Sequence, residues 1–144
     1  GCNFLVNDII DISDYAILHR LRIASKEEIY KNSDIITIHT PLNSETSNLI
    51  NLEVFKMMKS TAFLINTARG GIVNEKDLKF ALEHKIISGA AIDVYESESV
   101  LNEELLVLPN LICTPHTGGN SLEAVVAMGL SAIEHLIRYR NNIK

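Results

Sequence analysis

The chain has 144 residues, 47% of them apolar, and a formal net charge of −5. That length and composition suit one domain with a real core. An acidic balance without a basic block argues against a nucleic-acid surface, and no apolar run approaches the length of a membrane span.

Phe4-Leu5-Val6 reads as a short buried strand closed by Asn7-Asp8. Residues 9–24 are mixed and carry no clear period. Ser25-Lys26-Glu27-Glu28 is a capping box, which opens a helix to about Lys31. Asp34 to His39 is β-branched and continuous, a second strand, ended by Thr40-Pro41-Leu42 because proline cannot donate to a ladder. Asn51 caps a helix carrying Leu52, Phe55 and Met58. Ala62 to Ile65 is a third strand that breaks into Asn66-Thr67-Ala68-Arg69-Gly70-Gly71. Asn74-Glu75-Lys76-Asp77 caps a helix with Leu78, Ala81 and Leu82 inward. Ile86-Ile87 through Ala90-Ala91-Ile92 gives a fourth strand, ending at Asp93. Asn102-Glu103-Glu104 opens a brief helical turn, stopped before Pro109. Leu111-Ile112-Cys113 is a fifth strand, ending at Thr114-Pro115-His116. Ser121 caps the longest helix, to about Arg140, with Val125, Met128, Ala132, Ile133 and Leu136 as its apolar stripe.

Strands alternating with helices predict βαβ units, hence an α/β fold with a parallel sheet and helices on both faces. All five strands end in polar groups: Asp8, His39, Arg69, Asp93 and His116. In one parallel sheet these ends share the edge where ligands bind. The alternative is that buried strands simply turn polar on reaching solvent. At that edge His116 has the chemistry to carry a proton at neutral pH. Glu98, a candidate in the loop after the fourth strand, would favour its charged form. Arg69 offers a planar fork that matches a carboxylate. Together they suit hydride transfer at a 2-oxo or 2-hydroxy acid. Singly, Arg69 could pair locally, His116 could cap a turn, and Glu98 is one of several acids in its loop. Cys2 and Cys113 lie far apart without metal spacing, so no metal site is expected and a reduced, cytoplasmic thiol pair is.

These residues carry a resemblance. Ser33 through Leu42, Ile65 through Gly71, Gly89 through Glu98, and Thr114-Pro115-His116-Thr117-Gly118-Gly119 together resemble the NAD-binding domain of the D-isomer-specific 2-hydroxyacid dehydrogenases, the family of D-3-phosphoglycerate dehydrogenase. The resemblance implies NAD as cofactor and a small 2-hydroxy or 2-oxo acid as substrate. It implies a substrate-orienting role for Arg69, a proton-exchanging role for His116, and a pairing of Glu98 with that histidine. Asp93 matches the aspartate that meets the nicotinamide carboxamide. Thr67 and Ala68 fall on the nicotinamide ribose side, Thr40 and Pro41 on the adenosine side, and Gly118 and Gly119 near the nicotinamide. Asp8 matches the acid that binds the adenosine ribose hydroxyls, where a carboxylate disfavours a 2′-phosphate and so selects NAD over NADP.

The departures are equally specific. No G-x-G-x-x-G occurs in these 144 residues. Residues 1–144 therefore read as a partial NAD-binding domain, Rossmann-like with the first βα unit missing, and the substrate domain is absent from the chain. Ser99 stands where the family usually has proline. The expectation is a fragment of a longer dehydrogenase that does not turn over alone and pairs as a homodimer through exposed apolar edges. The alternative function is an inactive binding or regulatory module of the same fold, corepressor-like or an assembly partner.

Overall fold

The structure, a computed structural model, describes residues 1–97 and 103–142. Its first unit is a pair of short parallel strands, β1 (Leu5–Val6) and β2 (Arg22–Ile23), joined through helix α1 (Ser13–His19). The region without a clear sequence pattern thus contains a helix and a strand. Helix α2 (Lys26–Asn32) follows, and its capping box forms as expected. Ser25 Oγ accepts the Glu28 amide at 3.1 Å, and the Glu28 carboxylate accepts the Ser25 amide while also pairing with Arg22. Ser25→Ala should lower stability by about 1 kcal/mol, read as an earlier urea midpoint with an unchanged slope.

The second unit is a four-stranded parallel sheet in sequence order: β3 (Ile35–Ile38), β4 (Phe63–Asn66), β5 (Gly89–Ile92) and β6 (Leu111–Cys113). Between the strands run α3 (Leu52–Met57), α4 (Glu75–Glu83) and α5 (Glu103–Leu106). Alternation along each strand separates two faces. Ile36, Ile38, Leu64, Ala90 and Ile92 are buried, and they share one core with Tyr30 of α2, Val54 and Phe55 of α3, Leu78, Ala81 and Leu82 of α4, and Leu105 of α5. Full burial of one such leucine contributes about 2 kcal/mol.

The opposite face differs from the expectation of helices on both sides. Ile35, Phe63 and Ile112 are exposed there, beside half-buried Ile65 and Ala91. The helix α6 (Leu122–Asn142) begins where expected, with Ser121 Oγ accepting the Ala124 amide at 3.1 Å, but none of its residues is buried. An apolar stripe states that a face favours cover; it does not say what covers it. Among the described residues nothing packs closely on the stripe.

The fourth strand starts at Gly89, not Ile86: Lys85 turns left-handed at φ 54° and Ile87 is buried within the turn rather than in the ladder. And β1 pairs only with β2, so the five polar strand ends do not share one sheet edge. Those of β3 to β6 do.

Candidate active site

Two arms and a joint between them make up the site. The first arm is the turn after β4. Asn66 is 2% exposed, and its side chain spans the turn: Nδ2 donates to the Arg69 carbonyl at 3.0 Å and Oδ1 accepts the Ala68 amide at 3.1 Å. That brace presents Thr67 and Arg69 to solvent, with Ala68 half-buried beneath. Arg69 Nη1 donates to the Ala68 carbonyl at 2.6 Å, which leaves the rest of the guanidinium fork open to solvent.

The second arm follows β6. His116 is exposed and held at φ 53°, with its amide donating to the Thr114 carbonyl at 3.0 Å. Asp93, at the end of β5, shapes this loop. Its Oδ1 accepts the Thr114 hydroxyl at 2.5 Å and the Thr117 amide at 2.9 Å, and its Oδ2 accepts the Gly118 amide at 3.0 Å. The Thr114 hydroxyl, then the two amides and the nearby His116, hold the Asp93 carboxyl below its ordinary range against the opposing cost of burial. Gly119 stands in open space.

The joint is Tyr95-Glu96. The Tyr95 hydroxyl donates to the Thr114 carbonyl at 2.8 Å, and burial pushes this phenol up to about 12, with the Cys113 thiol and the Asp93 and Glu75 charges adding. Burial also raises the Cys113 thiol. The Tyr95 carbonyl lies so near Gly70 that a Cβ there would sit 1.7 Å away.

The remaining expected residues are more scattered. Asp8, exposed after β1, accepts the Ile9 and Ile10 amides at 2.7 and 3.3 Å. His39 is exposed and turns back to Thr37, Nε2 to Oγ1 at 2.9 Å. Thr40, at the end of β3, has a buried Oγ1 with no hydrogen-bond partner among the described residues, and Pro41 beside it is exposed. A buried hydroxyl without a partner is uncommon in folded proteins. At a carboxyl strand edge it fits a ligand that brings hydroxyl or phosphate oxygens, as a dinucleotide does. Glu98 lies outside the described residues.

The sequence reading did not single out Asn66, Tyr95, Thr114, Thr117 or the acids Glu75 and Glu96. Only Asn66 carried a local signal, an asparagine between a strand and small residues.

The sequence profile described as D-isomer specific 2-hydroxyacid dehydrogenase, NAD binding domain, matches residues 1–118. The chain is 44% identical over 114 residues to a glyoxylate reductase of Pyrococcus furiosus, across 79% of this chain and 34% of that protein. It is 39% identical over 117 residues to a D-3-phosphoglycerate dehydrogenase of Bacillus subtilis, across 81% of this chain and 22% of that protein. The solved D-lactate dehydrogenase with NAD+ from Lactobacillus jensenii superposes with a TM-score of 0.86 at 31% identity, across 99% of this chain and 46% of that one. This chain thus spans 34% or less of these two curated relatives. The family's cofactor is NAD, and its members are oxidoreductases. With its parallel sheet, its braced arginine turn and its histidine loop, the chain belongs to the D-isomer-specific 2-hydroxyacid dehydrogenase family, as NAD-binding-domain sequence.

Proposed function

We propose that residues 1–144 form a partial NAD-binding domain of a dehydrogenase that moves a hydride between NAD and a D-2-hydroxy acid, phosphoglycerate-like in kind. The observation that carries this reading is the order of the strand ends: Arg69 after β4, Asp93 after β5 and His116 after β6, along one sheet edge. Bound NAD supplies the hydride acceptor or donor. The chain's own groups do the rest. The open Arg69 fork pairs with the acid's carboxylate and orients it. His116 takes or returns the hydroxyl proton, and Glu98 favours its charged form.

The other residues hold the cofactor. Asp93 keeps lone pairs on Oδ2 for a carboxamide donor while it shapes the histidine loop. Thr67 and Ala68 line the nicotinamide ribose, Gly118 and Gly119 the nicotinamide itself, and Thr40 and Pro41 the adenosine side. Asp8 receives the adenosine ribose hydroxyls. The protein works in the cytoplasm as a homodimer, and the substrate domain is not in this chain.

The test is NADH oxidation by the intact polypeptide from its source, with glyoxylate, pyruvate and 3-phosphohydroxypyruvate as acceptors. Turnover is expected with at least one of them. Arg69→Lys should lower kcat/KM about ten-fold, because a point charge replaces a fork. NADH binding without oxidation of any acid would overturn the dehydrogenase reading in favour of a binding module.

A further inference from the structure

We propose that Glu75 and Glu96 form a reciprocal clasp that positions Arg69 and His116 through the Tyr95-Glu96 joint. The inference rests on the dehydrogenase reading for the identity of the groups being positioned. Glu75 is the first residue of α4. Its Oε1 accepts the Glu96 amide at 2.6 Å, and the Glu96 Oε1 accepts the Glu75 amide at 3.1 Å. Two carboxylates and two amides are thus exchanged between a helix and the loop after β5.

Helix α4 is a fixed anchor, with Leu78, Ala81 and Leu82 buried and Asn74 capping it through the Asp77 amide at 3.0 Å. A cap was therefore already present. Two like charges held this close repel, and both burial and the Glu96 charge raise the Glu75 carboxyl above its ordinary range. A cap alone gives no reason for the second bond, which runs from the helix side chain to the loop backbone. Its effect is to fix the loop.

What the loop touches gives that fixing a consequence. The Tyr95 carbonyl rests on Gly70, the neighbour of Arg69. The Tyr95 hydroxyl meets the Thr114 carbonyl, which also receives the His116 amide. One clamped segment therefore sets both arms of the site, and Glu75 and Glu96 are positioning residues.

The experiment is amide exchange and NMR of the intact polypeptide, without NAD, as wild type, Glu75→Ala, Glu75→Gln and Glu96→Ala. Glu75→Ala should speed exchange of the Glu96 amide about ten-fold or more, and shift the His116 ring and Arg69 Nε–H signals. Glu75→Gln should restore all three, because its Oε1 still accepts. Faster exchange at Glu96 with His116 and Arg69 signals unmoved would overturn the proposal, as would a glutamine variant no better than alanine. If the alanine variants unfold, Glu75→Asp shortens the arm by one methylene and is judged on the same signals. None of these readings needs NAD or turnover. An intact polypeptide that fails to oxidise NADH would sink the dehydrogenase reading and leave the clasp standing.

Discussion

Gly70→Ala should cost about 3 kcal/mol or more and bring the urea midpoint down sharply. The reason is steric and entirely backbone. A Cβ at Gly70 would stand 1.7 Å from the Tyr95 carbonyl oxygen, 2.2 Å from its carbon and 2.9 Å from the Glu96 nitrogen. No side chain is available to rotate away; either the arginine turn or the loop after β5 has to move. Asn66 holds the first and the Glu75–Glu96 exchange holds the second, so both resist. Gly71 is the internal control. It needs its glycine for conformation, φ 78°, and a Cβ there would meet only the Leu42 side chain at 3.7 Å. Gly71→Ala should therefore cost only about 1–2 kcal/mol. Equal midpoints for the two variants would mean that the Gly70–Tyr95 approach does not exist in solution.

The legible parts of this fold were those whose signals lie within a few residues. The Ser25–Glu28 box, the Asn74 cap and the β-branched run of β3 each state their structure locally. Residues 9–24 did not. Helix α1 starts at Ser13 behind an Ile12 N-cap that offers no side-chain hydrogen bond, and β2 is two exposed residues, Arg22 and Ile23, so neither offers a period. Ile86-Ile87 misled because an apolar pair reads the same whether it enters a ladder or fills a turn. The site divides the same way. Arg69 and His116 stand where strand ends put them, and strand ends are readable. Their supports are not, since Asp93 reaches Thr114 across 21 positions and Glu75 reaches Glu96 across 21. Asp93 shows the limit most clearly. Read as an acid at a ligand edge, it is 6% exposed and engaged with three donors of the chain itself.

That engagement makes Asp93→Ala the second large effect. The substitution removes a charged acceptor from the Thr114 hydroxyl and from the Thr117 and Gly118 amides, at a cost of about 3 kcal/mol. The loss should fall on the histidine loop first. The Thr117 and Gly118 amides should exchange faster well before the core opens, since Leu64, Leu78 and Phe55 keep their burial. Asp93→Asn should lie between, because its one remaining oxygen cannot serve donors on both sides. The same carboxylate sets a pH dependence. Its pKa is lowered on folding, so its stabilisation is present above the ordinary aspartate value of 3.8 and is lost as pH falls through the lower folded value. Protection of Thr117 and Gly118 should therefore hold at neutral pH and fade only below 3.8. Asp93→Asn should remove that acid step while leaving acid unfolding of the rest in place. An acid step that survives in Asp93→Asn would assign it to another carboxylate, and the histidine loop would then owe its shape to something other than Asp93.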